Sequence, residues 1–243
     1  MSHAYAAASR SLDADASSVV RIEIFRASAS RRGVVCRLRR RELELLVALA
    51  TCGEIVGRDA FLELLWPGVA RTHASAALRT TIHRLRQSLG VADVVVNESG
   101  YRLGEGVCVD IHEAERALRI VGAAFDAEPS AQTQLRDLFR AFDVDLPHIY
   151  DGWPWFERVR PALLDVRRRV GIRLAQMNFG LRRFAESVDI AERLLHHDAS
   201  DEPALELLVR ALIADGRALE ARHCVRRYTG PVSPELRLLV ECR

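Results

Sequence analysis

The chain has no lysine: all 35 of its basic residues are arginine. A planar guanidinium suits bidentate contact with phosphate and guanine, but a bias spread over the whole chain reflects genome composition more than selection for one surface. The five cysteines (Cys36, Cys52, Cys108, Cys224, Cys242) are odd in number and widely spaced, with no CxxC pair. That pattern excludes a disulfide framework and a thiolate zinc site, and it suits small, partly buried apolar residues in a reducing compartment. No apolar run approaches the ~20 residues that span a bilayer. Residues Met1 to Ser18, rich in Ala, Ser and Asp, lack a basic-then-apolar signal pattern and read as a disordered lead-in to a cytoplasmic protein.

Catalytic spacing is missing too. There is no GxSxG, GxxxxGK[ST] or HExxH, and no HxE with a CxxC, so no catalytic or cofactor-binding residues are expected. Gly104-Glu105-Gly106 opens like a dinucleotide fingerprint, but Val109 holds the third glycine position, and the segment reads as a linker. His196-His197-Asp198 looks metal-like. Adjacent helical residues point about 100° apart, however, so a helix C-terminus that favours histidine explains the triplet better than a metal.

What is present divides in two. With 243 residues and 49% hydrophobic content, the chain is long enough for two domains with separate cores. Val19 to Leu103 holds 14 Arg against 8 Asp plus Glu, a balance of +6, and the remainder holds 21 against 25, a balance of −4. A basic front half and an acidic back half suit a module that meets phosphates joined to one that meets protein.

Val19 to Phe25 alternates like a half-buried strand, Ser28 to Gly33 is turn-like, and Val34 to Leu38 can pair back as a second strand. Arg39-Arg40-Arg41 leads a helix with Leu43, Leu46, Val47 and Ala50 on one face. This basic run either contacts phosphates, through Arg40 and Arg41, or is a solvated face opposing the helix dipole. A short helix, Asp59 to Leu65, is broken by Pro67 and Gly68. In the next helix Leu78, Ile82, Leu85 and Leu89 form one inward stripe, which leaves Arg79, Thr80, His83, Arg84 and Gln87 outward. Those are group types that reach base edges and phosphates in a major groove. Arg86 flanks the stripe and could equally hold a core-edge carboxylate. Val94 to Val96, the turn Asn97 to Gly100, and Tyr101 to Leu103 read as a hairpin, with Gly100 supplying positive φ.

Helix, turn, basic helix and hairpin spell a winged helix-turn-helix. The segment resembles the OmpR-type winged-helix domain of the antibiotic-regulatory-protein (SARP) activators. The matching residues are Arg58-Asp59, Leu65-Trp66-Pro67, Ala77-Leu78-Arg79, Ile82 to Arg86, Leu89-Gly90 and Gly100 to Leu103. The resemblance implies a recognition helix from Ser75 to Leu89 acting through Arg79, Thr80, His83 and Arg84. The wing departs from the pattern: Asn97 stands where many relatives place Arg, and acidic Glu98 follows. That shifts specificity toward the helix, with Asn97 and Arg102 as the wing's contacts.

From Asp110 the pattern is helical: Ile111 to Phe125, Ala131 to Phe142, an aromatic stretch from Asp145 to Phe156, then a long helix from about Glu157 to Phe179. Gly180 through Phe184-Ala185-Glu186 recurs as Gly216 through Glu220-Ala221 at an offset of 36, close to the tetratricopeptide period of about 34. Trp153-Pro154-Trp155 before an Arg-rich helix, followed by such pairs, resembles the bacterial transcriptional activator domain of the same family. The aromatic cluster Tyr150, Trp153, Trp155 and Phe156 is either a ligand or partner site, or packing at a domain seam or in the first repeat's core. Arg167-Arg168-Arg169 fits a solvated face better than a second DNA site.

The expected fold is mainly α: a disordered lead-in (1–18), an α+β winged helix-turn-helix (19–104) and an all-α tetratricopeptide-like domain (110–243). The resemblance implies a sequence-specific transcriptional activator that binds direct repeats of double-stranded DNA as side-by-side protomers, a homodimer on DNA, and recruits RNA polymerase. Such a protein is non-enzymatic, binds no cofactor, metal or membrane, and works in the bacterial cytoplasm at the nucleoid. The alternative is an interaction scaffold whose winged helix is a docking module.

Overall fold

The computed structural model describes residues 20–52, 55–91, 94–97, 100–123 and 129–241. The expected disordered lead-in therefore lies outside the described residues. The chain clusters into two compact units, one reaching to Glu113 and including Val144–Pro161, the other Ala114–Asp143 with Ala162–Arg243. The segment 144–161 thus groups with the front of the chain, whereas the sequence reading placed it inside a domain of residues 110–243. The architecture is mainly α, a winged helix-turn-helix with a small sheet followed by tetratricopeptide-like helices.

In the first unit the strands are β1 (Val20–Glu23), β2 (Ser28–Arg31), β3 (Val34–Val35) and, far along the chain, β6 (Val107–Val109). They form one sheet in the order β3-β2-β1-β6. Two sequence expectations change here. Ser28 to Arg31 is a strand paired antiparallel to β1, not a turn, and the turn is confined to Arg32 and Gly33, both at positive φ. The presumed linker at Gly104–Gly106 leads into β6, which pairs parallel with β1, placing Val109 opposite Ile22. Val20, Ile22, Ala29 and Val109 are buried, so alternate residues on three strands face one core. Asp110, just past β6, accepts the Ile24 and Ile111 amide protons with separate oxygens, at 2.9 and 2.7 Å.

Helix α1 (Arg40–Thr51) is buried from Glu42 to Ala50, on every side rather than along one stripe. A helix so enclosed sits at the centre of its unit. Its two buried carboxylates are both partnered: Glu42 accepts from the Arg39 amide and the Ser88 hydroxyl, each at 3.1 Å, and Glu44 is described below. Against α1 pack α3 (Arg71–Leu89) and strand β5 (Tyr101–Leu103), while α2 (Arg58–Leu65) packs on α3 and β4 (Val95–Asn97) pairs with β5 as a hairpin. Tyr101 also bridges Val56. Gly100 does not supply the positive φ expected of it. It is required for space, because a Cβ there would lie 2.6 Å from the Val56 carbonyl oxygen.

The aromatic residues of the 144–161 segment close this unit and are not the first repeat's core. Tyr150, Trp153, Trp155 and Phe156 are all buried, and their rings stack in sequence, Tyr150 on Phe156 at 4.2 Å and Trp153 on Trp155 at 5.9 Å. The Tyr150 hydroxyl donates to the Ile24 carbonyl at 2.5 Å.

The second unit is helical: α4 (Asp110–Ala123, which it shares with the first unit), α5 (Pro129–Phe142), α6 (Arg160–Gly180), α7 (Phe184–His197), α8 (Glu202–Ala214), α9 (Ala218–Arg227) and α10 (Pro234–Glu241). The long helix begins three residues later than expected, because Pro154–Arg158 forms a 3-10 turn. Two hairpins repeat bond for bond. The Arg183 amide donates to Asn178 O and the Arg182 amide to Phe179 O; the Arg217 amide donates to Leu212 O and the Gly216 amide to Ile213 O. Each pair is offset by 34, as are the starts of α7 and α9 at 184 and 218. The equivalent of Gly216 is therefore Arg182, not Gly180, and both adopt the left-handed conformation, at φ 80° and 59°. Small, fully buried Ser187 and Ala221, also 34 apart, sit where paired helices approach. Leu205, Leu208, Val209 and Leu212 form the core with Val188, Ala191, Ala221 and Leu236.

The Arg167–Arg169 run serves this unit internally. Arg168 grips the carboxylate of Asp201, which caps α8, at 2.6 and 3.0 Å, and Arg169 pairs with Asp165. His197 faces Asp143 at 3.0 Å while His196 is exposed, so the two rings serve different surroundings.

Candidate nucleic-acid interface

Helix α3 carries four arginines, two histidines and no acidic residue. Its core side is Ala74, Ser75, Leu78, Thr81, Ile82, Leu85 and Leu89, all buried. At ~100° per residue these occupy an arc of about 120°. Arg79, Thr80, His83, Arg84 and Gln87 fall on the opposite ~140° and are exposed. The five outward residues named from the sequence thus share one face. The Thr80 hydroxyl donates to Ala76 O at 3.0 Å, leaving its oxygen free to accept outward.

The helix begins at Arg71, four residues before the expected start at Ser75, which adds exposed Arg71, Thr72 and His73. Sequence reasoning missed this turn because Ala70 at the N-cap offers no side-chain cap. Arg71 is tied back to α2 by Asp59, whose two oxygens lie 2.5 and 2.6 Å from one guanidinium nitrogen. At the far end Gly90, at φ 63°, closes α3 with its amide directed to Arg86 O and Gln87 O.

Arg86 holds no carboxylate among the described residues. Its Nη2 donates to the Val95 carbonyl at 2.7 Å, bracing α3 against the first hairpin strand, and its Nε is buried with no hydrogen-bond partner among the described residues. Arg79, Ile82, His83, Arg86, Val95 and Tyr101 line a cleft between α3 and the hairpin, with an apolar floor and a basic rim. In the hairpin Arg102 is half-buried and donates to Leu103 O at 3.3 Å. Asn97 pairs through its backbone with Tyr101, while Glu98 and Ser99 at the wing tip lie outside the described residues.

Arg40 and Arg41 stand apart from this face, at the start of α1. Arg40, though exposed, donates to Gly152 O at 3.1 Å. Arg41 bonds Glu44 and the Leu65 carbonyl and lies 5.9 Å from the Trp66 ring. Both therefore have intramolecular work. No group of three or more His, Cys, Asp or Glu among the described residues is placed to hold a metal ion, and no described helix is long and apolar enough to cross a membrane.

An exposed, acid-free helix following a helix and a tight turn, braced to a two-stranded wing, defines a winged helix-turn-helix; a helical-repeat unit follows it in the chain. Among solved structures the chain is similar to Mycobacterium tuberculosis EmbR, determined in complex with a low-affinity phosphopeptide, at a TM-score of 0.70 and 20% identity. The match covers 88% of this chain and 62% of that one, so the chain spans less than two thirds of EmbR's length. The likeness is one of fold. No protein-family model and no curated protein matches the sequence.

Proposed function

We propose that this protein is a sequence-specific, DNA-binding transcriptional regulator without enzymatic activity. The observation that carries the reading is the outward face of α3, where Arg79, Thr80, His83, Arg84 and Gln87 present donors and acceptors with no carboxylate among them. On this reading α3 enters the major groove. Arginine pairs bidentately with guanine O6 and N7, glutamine with adenine N6 and N7, each discriminating by about 1–3 kcal/mol. The hairpin, with Arg102 and Asn97, lies toward the adjacent minor groove, and Arg40 flanks the backbone. Two protomers side by side on a direct repeat multiply a modest single-site affinity, and the helical unit offers the surface that engages RNA polymerase, making the protein an activator.

Fluorescence anisotropy of the full chain on a random-sequence duplex, measured across salt, tests the first step. Binding should weaken linearly in log salt, by about 0.9 log unit per phosphate contacted for each tenfold in salt. A chain that ignores duplex DNA at low salt is an interaction scaffold instead. Arg84→Ala should then cost discrimination between a selected and a scrambled duplex, whereas equal loss on both removes Arg84 from base reading.

A further inference from the structure

Glu44 is a carboxylate buried in the first unit. Its side chain is 5% exposed, and each oxygen has its own donor. Trp155 Nε1 donates to Oε1 at 3.3 Å and Arg41 Nη1 to Oε2 at 2.6 Å. The same Arg41 nitrogen donates onward to the carbonyl of Leu65, at 3.3 Å, and the guanidinium sits against Trp66. Leu65 is the last residue of α2 and Trp66 is its C-cap, so this chain of bonds ends on the turn of the helix-turn-helix. Its other end, Trp155, belongs to the aromatic segment, which the chain enters from α5 and leaves into α6.

We infer that Trp155, Glu44 and Arg41 form a positioning chain that sets the helix-turn-helix turn, and through it the seating of α3, from the aromatic segment. Arg41 is then a positioning residue for sequence discrimination, not one of the phosphate contacts. The inference rests on the DNA-binding reading above.

Three physical points support it. Without Arg41 the buried Glu44 carboxylate loses its countercharge, and without Trp155 its Oε1 loses its donor, so the two bonds hold one another in place. Trp66 to Ala70 is the whole connection between α2 and α3, and it contains Gly68 at φ 73°, so a shift at Leu65 passes through only five residues to reach Arg71. Bidentate base pairing tolerates little misplacement, whereas attraction to phosphates depends mainly on charge count. Loosening the turn should therefore damage discrimination and spare the electrostatic component.

The test uses the full chain, a duplex selected from a random library by the wild type, and a scrambled duplex, each titrated across salt. Arg41→Ala and Trp155→Phe, which keeps the ring and removes the N–H, should each reduce the ratio of specific to scrambled affinity on the order of tenfold. The salt slope should not change, and the double variant should be little worse than either single. Arg41→Lys, which keeps the charge and is easily accommodated in the fold, should fail to restore the ratio because it lacks the fork that reaches Glu44 and Leu65 together. If Arg41→Ala instead flattens the salt slope by about one phosphate contact and weakens both duplexes equally, with Arg41→Lys restoring both, the inference is overturned while the DNA reading stands. An unchanged ratio in Trp155→Phe overturns it as well. A wild-type chain that selects no duplex brings down the DNA reading and this inference together.

Discussion

Gly100→Ala is a single added methyl group whose effect follows from the backbone around it. The new Cβ would lie 2.6 Å from Val56 O and 2.8 Å from Ile55 Cγ2, distances that force something to move. What moves is the two-way bond between Val56 and Tyr101, whose amides donate to each other's carbonyls at 2.9 and 2.8 Å. Losing both bonds costs about 1–3 kcal/mol, at 0.5–1.5 kcal/mol net for each. The alanine's lower entropy in the unfolded chain returns about 0.4–1 kcal/mol, because φ at Gly100 is not in the left-handed region. The expected net loss is about 1–2 kcal/mol. Urea denaturation followed by tryptophan fluorescence isolates the relevant unit, since Trp66, Trp153 and Trp155, the only tryptophans, all belong to the first one. The midpoint should fall while the far-UV signal of the helical unit unfolds as before. An unchanged or raised midpoint would refute the argument, because it would mean that the Val56 backbone yields without cost.

Other perturbations have equally definite signs. Arg182→Gly relieves a left-handed arginine and should stabilise the helical unit by about 0.5–1 kcal/mol, whereas Gly216→Ala at the position 34 residues on should destabilise it by about 1–2 kcal/mol. Thermal melts followed by circular dichroism check the pair, and equal signs would break the equivalence of the two turns. Burial raises the Asp110 carboxyl, the Ile24 and Ile111 amides oppose it only in part, and the net result is pushed up to about 7. The folded chain therefore holds a proton that the unfolded chain releases near pH 4. Stability from this group is full below about pH 4 and lost as pH rises to about 7, by up to about 4 kcal/mol. Asp110→Asn should flatten the fluorescence-detected stability between those limits, and a pH profile parallel to wild type would contradict the assignment. Arg86→Met leaves the Val95 carbonyl without its donor and should release the hairpin from α3, read as faster amide exchange in β4 with α3 still protected.

How much of this was legible in the sequence depended on whether a residue's role was local. The outward set on α3 follows from a 3.6-residue period and the stripe from Leu78 to Leu89, so five exposed side chains were named correctly as to face. The tetratricopeptide-like hairpins were visible in the Gly216 turn, but the register was misread by two residues because the first hairpin uses Arg182, and no propensity marks a left-handed arginine. Long-range pairing left no trace at all. β6 joins β1 across more than 80 residues, and its three-residue length gives no alternation to count. The aromatic segment gave a clear signal of burial and none of destination, since the Tyr150 and Trp155 partners, Ile24 and Glu44, are more than 100 residues away. Arg40 and Arg41 read as free cations for the same reason.

The most direct measurement is enrichment of duplexes from a randomised library by the full chain, wild type beside Arg84→Ala. If the α3 face reads base edges, the wild type enriches one motif, arranged as a direct repeat, and Arg84→Ala relaxes the preference at a fixed position within each half-site while keeping the salt dependence of binding. Enrichment of no motif by the wild type, or of the same motif at the same strength by both proteins, would contradict the assignment of sequence recognition to this helix.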